Sequence, residues 1–529
     1  MRYYLSCIIT LLLIYACSKS PSKLDEVEIY VPDTANPLTT SNIPFKNYLG
    51  VNAFEWDFVS PSQPSIITNP QISLIKSFGG VRHYLDWSKI EQSEGKYTFN
   101  PSHSGGWYYD IIYQRCKTEG LDLLVCLKTI PDWLMNTYPA NQRDAENVPA
   151  PYGLDKSDPT SYLKQAKTGF QFAARYGSNK TLDPSLVTVN TSIRWTGDDA
   201  NSVKIGLDLV KYIECDNERD KWWKGKQAEQ TAEEYAANMS AFYDGHKGKL
   251  GKNVGVKNAD PKMIVVMAGL STANPEYVVK MIDWCRKNRG LKADGTVDLC
   301  FDVINYHLYA NNAFINNGNA TTGVAPELSN IGTVADSFIK MAKTNAPGLE
   351  VWMTETGYDV GNTPQKAIAI GSKTAYVTQA DWNLRTALLY ARHGLNRCMF
   401  YMLDDAGGLN STTQYSSSGF HNDDLSKRPS ADYISQTKSL LGSYYYAATL
   451  NKDPIVDLYK LDKKEIYVLT VPDQKDRTVN YQLDLGTSTQ AIVHTLQIGK
   501  DEMSHKTVNV ANGKLTIQVT ETPIFVEKI

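Results

Sequence analysis

Between about residue 45 and residue 440, short apolar runs alternate with longer amphipathic ones. This rhythm constrains the fold more than any other feature of the chain. Eight runs read as strands: 48–54, 80–83, 121–127, 210–215, 263–268, 303–307, 350–354 and 398–403. Helical periodicity falls between them, most clearly over 106–118, 159–176, 232–246, 275–289, 334–344 and 379–393. In the second of these, Tyr162, Ala166, Phe170 and Ala173 recur on one face and Gly177 follows as a stop. Eight strands with interposed helices are the count of a TIM-type (β/α)₈ barrel. The rival is an open doubly wound sheet, which often carries a glycine-rich phosphate loop after its first strand; none is evident here.

The texture changes after residue 442. Runs at 455–461, 465–470, 478–485, 491–497, 507–510, 514–519 and 523–526 are separated by turn residues and show no helical period. They predict a small β-sandwich over 442–529, following a barrel over 45–441. Two stretches exceed a minimal barrel, 140–157 and 177–199. Both are expected beside the active-site mouth, the second as a small hairpin.

The first residues read as an address. An apolar stretch from Leu5 to Ala16 is too short for an ordinary membrane span and ends at Ile14-Tyr15-Ala16-Cys17. This box resembles a bacterial lipoprotein cleavage site. The resemblance implies a signal peptide over 1–17, lipidation of Cys17, a flexible tether over 18–44, and a lipid-anchored chain at the outer membrane, cell surface or periplasm. A simple secretory signal is the alternative, and export follows from both.

A formal net charge of −3 argues against a general nucleic-acid binder. Aromatic residues make up 11% of the chain, including 32 Tyr and 10 Trp, which suits the stacking of sugar rings as well as ordinary cores. The six cysteines beyond the leader show no CxxC spacing and no nearby His cluster, so neither a metal nor a cofactor is expected.

Two glutamates end predicted strands. Glu218 closes Glu214-Cys215-Asp216-Asn217-Glu218 on the fourth, and Glu355 lies in Met353-Thr354-Glu355-Thr356-Gly357 on the seventh. Carboxyl ends of barrel strands open onto the active site, and two opposed carboxylates there are the equipment for cleaving a glycosidic bond. Alternation alone does not choose Glu218, because Glu214, Asp216 and Glu218 share a parity.

Together these motifs resemble the clan A barrel glycoside hydrolases, among them families 39 and 5, over most of 50–403. The match consists of Asn217-Glu218, Thr354-Glu355, Arg82 on the second strand with Glu94-Gly95-Lys96-Tyr97-Thr98-Phe99 after it, and His307 with Tyr309 on the sixth. The resemblance implies a retaining hydrolase of β-linked oligo- or polysaccharides, with Glu218 as acid/base and Glu355 as nucleophile. Arg82 would keep Glu355 ionised, Tyr309 would hold its rotamer, and Asn217 would bind a sugar 2-hydroxyl. His307 would complete the substrate site. Where the clan commonly has a Trp at the eighth strand, this chain has Tyr401, with Trp133 and Trp352 as other candidate platforms. Trp222 and Trp223 are candidates for a leaving-group subsite. Other readings stay open at this point: a non-catalytic surface glycan-binding lipoprotein on the same barrel, an inverting glycosidase, and a transglycosylase.

Overall fold

The computed structural model describes residues 43–529 apart from 61, 104, 105, 195, 197, 408 and 409. Eight parallel strands close into a barrel. They are β1 (Gly50–Ala53), β2 (Gly80–Asp86), β3 (Asp122–Lys128), β4 (Tyr212–Cys215), β5 (Ile264–Met267), β6 (Val303–His307), β7 (Glu350–Thr356) and β8 (Arg397–Phe400). The outer layer is α1 (Asn69–Ile75), α2 (Tyr109–Thr118), α3 (Leu163–Tyr176), α4 (Ala232–Asp244), α5 (Pro275–Asn288), α6 (Ile331–Asn345), α7 (Ala375–Arg392) and α8 (Pro429–Leu441). Local chemistry sets the helix ends. Thr231 and Glu234 form a reciprocal capping box at the start of α4, and Gly245 ends it at φ 64°.

The barrel interior is stacked. At its floor Leu124, Tyr212, Val266, Val303, Trp352 and Met399 form a closed apolar layer. Trp352 is fully buried there, donates its indole N–H to Glu350 at 2.6 Å and lies under the Arg397 guanidinium. It is therefore part of the floor and not a sugar platform. Above it the inward positions turn polar, with Asn52, Arg82, Glu214, Asn305 and Thr354 all buried.

The 177–199 stretch contains no strand among its described residues, only a 3-10 turn at Pro184–Leu186. The expected hairpin does not form among these residues; the segment follows α3, and its Asn190 N–H bonds the Tyr97 carbonyl in the loop after β2. The backbone of 206–210 is bonded along the end of α3, through Ala174, Arg175 and Tyr176, before entering β4. By contrast 140–157 follows β3 through one short helical turn, so it stays on the mouth side.

Beyond α8 the chain forms β9 (Tyr445–Lys452), β10 (Ile455–Leu461), β11 (Lys464–Thr470), β12 (Val479–Asp484), β13 (Gln490–Thr495), β14 (Ser504–Asn509), β15 (Lys514–Val519) and β16 (Ile524–Lys528). A six-stranded antiparallel sheet, β9-β10-β11-β16-β13-β14, is covered by the β12–β15 ribbon. The sheet's other face, with Tyr459, Ile466, Val468 and Phe525, joins the barrel core. Strand β9 has no counterpart among the predicted strands. It is an edge strand with register shifts at Tyr446/Ala448 and Thr449/Asn451, which break the period of two that marks a strand in sequence. The six described cysteines are buried free thiols, with Cys285 and Cys300 3.4 Å apart at sulfur. Among the described residues no helix is long and apolar enough to cross a membrane.

Candidate active site

The mouth of the barrel gathers most of the polar residues singled out in the sequence. Arg82 is fully buried and spends its donors on several elements at once. Its Nε and Nη2 bind the two Glu214 oxygens at 2.7 and 2.9 Å. Its Nη1 reaches Asn52 Oδ1 at 2.9 Å and Glu355 Oε1 at 2.8 Å. A further Nη2 bond at 2.7 Å runs to Asn217 Oδ1. One guanidinium thus ties β1, β2, β4 and β7 to a common centre. Asn217 uses its oxygen on Arg82, which leaves its Nδ2 group for the cleft it lines.

Glu355 reaches the mouth through an irregularity. Trp352 and Thr354 point inward, so strict alternation would turn Glu355 outward. The register of β7 shifts against β6 at Tyr306/His307 and against β8 at Cys398/Phe400. Such a bulge re-aims a side chain. Glu355 then accepts from Arg82, from the Tyr84 hydroxyl and, at 3.3 Å, from Tyr309. Burial pushes its carboxyl upward, but the charges of His307 and Arg82 and the Tyr84 bond outweigh it. The net effect holds Glu355 below the usual carboxylate value. Burial pushes the Tyr84 and Tyr309 phenols well above their usual range, so both remain O–H donors.

Glu218 arrives through backbone of the left-handed kind, with Asp216 at φ 70° and Glu218 at φ 48°. These two residues break the parity that made Glu214, Asp216 and Glu218 equivalent in sequence. Glu214 stays inside with Arg82, Asp216 turns to Arg219 at 2.9 Å, and Glu218 is left at the opening. It bonds His307 Nδ1 at 2.8 Å.

The direction of that bond follows from the chain behind it. Asn305 donates its Nδ2 to Glu214 and to the Met267 carbonyl, so its Oδ1 accepts from the Thr354 hydroxyl at 2.9 Å. Thr354 Oγ1 must then accept from His307 Nε2, 3.0 Å away. His307 Nδ1 and Glu218 Oε1 consequently hold one proton between them. Burial lowers the imidazole, yet the charge of Glu355 and the bond to Glu218 raise it overall. Gly269 makes room for this ring, because a Cβ there would stand 2.0 Å from His307 Nε2.

A Glu218 oxygen and a Glu355 oxygen lie within 4.8 Å of each other, with His307 between them. Glu218 lines an open cavity of ≈ 270 Å³ together with Phe54, Tyr84, Lys128, Glu146, Asn217, Trp223 and Tyr401, while Glu355 is 7% exposed. Phe54 stacks on both Trp56, at 4.6 Å, and Tyr84, at 5.3 Å, and builds an aromatic ledge at the rim. Tyr401 stands edge-on to Tyr84 and Tyr415, and Tyr415 packs 4.5 Å from Tyr309. Trp223 lines the cleft and is 48% exposed, while Trp222 stands edge-on to it and is 67% exposed.

Trp133 stands apart from the cleft lining. Its indole N–H donates to the Glu91 carbonyl at 3.0 Å, its ring meets Trp87 edge-on, and Lys164 covers it. Cys17 lies outside the described residues. Sequence reasoning did not single out Tyr84, Glu214 as the partner of Arg82, Asn52 or Tyr415. Tyr84 and Glu214 carry a signal, since each sits at an even spacing from a chosen residue on its own strand. Asp359 serves loop structure, accepting from Thr363, Tyr415 and Ser417.

No known family's sequence model matches the chain, and no curated protein matches it. Solved structures do. A family 39 glycoside hydrolase from the gut symbiont Bacteroides cellulosilyticus WH2 is 18% identical, with 94% of this chain and 83% of that chain covered at TM-score 0.61. An α-L-arabinofuranosidase from Thermotoga maritima is 11% identical over 93% of this chain and 98% of that chain, at 0.53. A family 30 endoxylanase from Clostridium papyrosolvens C71 is 13% identical over 93% and 97%, at 0.52. At these identities the likeness is one of fold, a parallel barrel with an appended β domain.

Proposed function

We propose that this chain is a glycoside hydrolase that cleaves β-linked glycans by double displacement, with Glu355 as nucleophile and Glu218 as acid/base. The observation that carries the reading is the pairing of two unlike carboxylates across the barrel mouth. One oxygen of each lies within 4.8 Å of the other, well short of the ~6.5–9.5 Å that leaves room for water in inverting enzymes and on the side of the ~5–5.5 Å of retaining ones. Their environments also differ as the two roles require. Glu355 is held ionised by Arg82, His307 and Tyr84, ready to attack an anomeric carbon. Glu218 faces the cavity and bonds His307 Nδ1 at 2.8 Å, so it is placed to protonate a leaving oxygen and later to take a proton from water. The enzymes that share the fold act on xylan or arabinofuranosides, which supports a glycan as substrate.

In the first step a Glu355 oxygen bonds to the anomeric carbon as the glycosidic C–O bond breaks, and the Glu218 proton goes to the departing oxygen. In the second, water attacks the glycosyl ester, Glu218 takes its proton and Glu355 is released. Asn217 Nδ2 is placed to hold the sugar hydroxyl beside the reacting carbon. Trp223 flanks the leaving-group side, because it follows Glu218 on the same loop. We further propose that Cys17 anchors the exported chain to a membrane by lipid. The test of activity is product release from β-glucans, xylans, mannans and galactans by wild type and Glu355→Gln. Release by wild type that disappears in the variant supports the reading. Binding to a glycan without release from any of them overturns it in favour of a glycan-binding protein.

A further inference from the structure

A second cluster of potential ligands lies beside the ledge, outside the glutamate pair. It comprises Asp57 after β1, Asp404 after β8 and His421 on the returning segment, and one ligand atom from each lies within 4.8 Å of the others. Asp57 is only 4% exposed. One of its oxygens accepts the Phe54 N–H at 2.7 Å, and it forms no ion pair with any described residue. Burying a carboxylate beside a second one is costly unless it takes up a proton or something positive sits between them.

His421 points to what that is. The imidazole is 93% buried, being 7% exposed, and its Nδ1 donates to the Asn422 carbonyl at 2.8 Å. That bond fixes the tautomer and turns the Nε2 lone pair toward the two carboxylates, in the manner of a ligating histidine held by a backbone oxygen. The distance from Nε2 to Asp404 Oδ1 is 3.7 Å. This is too long for a hydrogen bond. It is close to the spacing of neighbouring ligands around one ion, roughly 3–3.5 Å when each sits about 2.0–2.2 Å from the metal. A lone pair facing two carboxylates at such a distance is repulsive without a proton or a cation among them.

We propose that Asp57, Asp404 and His421 bind one divalent transition-metal ion. The imidazole favours the Mn²⁺ to Zn²⁺ class over calcium, whose shell is built of oxygen. The site acts as a clamp. Strands β1 and β8 are joined by only two register pairs, Gly50–Met399 and Val51–Phe400, and the ion would tie their outgoing loops just above that seam. It would also fix Asp57, whose hold on Phe54 positions the Trp56–Phe54–Tyr84 stack. Spacing along the sequence conceals the site, because Asp57 precedes Asp404 and His421 by about 350 residues and meets them only when the barrel closes.

The test is a titration of the chelator-treated full chain with Mn²⁺, read by calorimetry and electron paramagnetic resonance. Wild type and Glu218→Gln are expected to bind one equivalent and to gain a few degrees of Tm, roughly as ligand linkage dictates. His421→Ala and Asp57→Asn should weaken binding more than tenfold and lose the Tm gain. Asp404→Asn, at a half-exposed position that packing does not depend on, should do the same even if the buried variants misfold. Absence of binding in wild type overturns the proposal. So does binding that survives His421→Ala and Asp404→Asn, or that is lost only in Glu218→Gln, which would place the ion on the glutamate pair.

Discussion

Two of the molecule's buried arginine–carboxylate networks, built from the same chemistry, invite comparison. At the barrel mouth Arg82 holds Glu214 and Glu355. At the seam with the β-sandwich Arg385 holds Glu327 at 2.6 Å and Arg392 holds Asp457 at 2.7 Å. In the seam the acceptors are consumed internally: Thr449 completes Asp457, and the Asp473 carbonyl completes Arg385. At the mouth, Glu355 is ionised by its neighbours, and Tyr84 and Asn217, which belong to the same network, line an open cavity together with Glu218. The lesson is that a buried charge network becomes chemical equipment when one member is left facing space that a substrate can enter.

Matched neutralisations sharpen the contrast. Glu355→Gln should lower kcat/KM by about 10⁴-fold or more, with a native circular dichroism spectrum and a small change in Tm. Asp457→Asn should do the reverse, leaving kcat/KM of the folded enzyme intact while costing about 3 kcal/mol in denaturant unfolding, because Arg392 loses its nearest partner in a dry site. If both variants lose only stability, the two networks are equivalent and the mouth is merely structural.

Glu218→Gln should cost about 10²–10⁴-fold on unactivated glycans. Aryl glycosides with acidic leaving groups need no proton, so on these the first step should be nearly unaffected, which pre-steady-state kinetics would detect. An equal loss on both substrate types would remove the acid role.

Tyr84→Phe probes the electrostatics at roughly 10–100-fold in kcat/KM, the worth of a hydrogen bond to a charged group. In wild type the acid limb assigned to Glu355 should lie below 4.5, and the variant should move it upward. The sign for stability follows the same shifts. Folding lowers the Glu355 value, so its contribution is present above 4.5 and is lost as pH falls. Folding raises the His307 value, so its contribution is present below 6.5 and is lost as pH rises through the folded value. Trp223→Ala, at the smallest end, should raise KM a few-fold and leave kcat nearly unchanged.

Much of this was legible in the sequence, for physical reasons that also mark where legibility stops. The barrel strands are apolar runs that end abruptly, so Glu218 and Glu355 could be placed at strand ends, while Arg82 and His307 were singled out by the motifs they share with the clan A hydrolases. Parity could not place Glu355 or exclude Asp216, because a bulge in β7 and two left-handed residues after β4 override alternation. Trp352 looks like a platform in a linear reading but falls three residues before Glu355, deep enough to be floor. Trp133 is drawn aside by Trp87 and Lys164, contacts that arise only in three dimensions. Strand β9 was hidden by its own bulges.

The most direct test is the stereochemistry of the first product. Proton nuclear magnetic resonance of a turned-over glycan, recorded before mutarotation, reports the anomer released. A carboxylate pair this close predicts release with the configuration of the bond that was cut. Release of the opposite anomer would contradict the double displacement through Glu355, and with it the roles assigned to both glutamates.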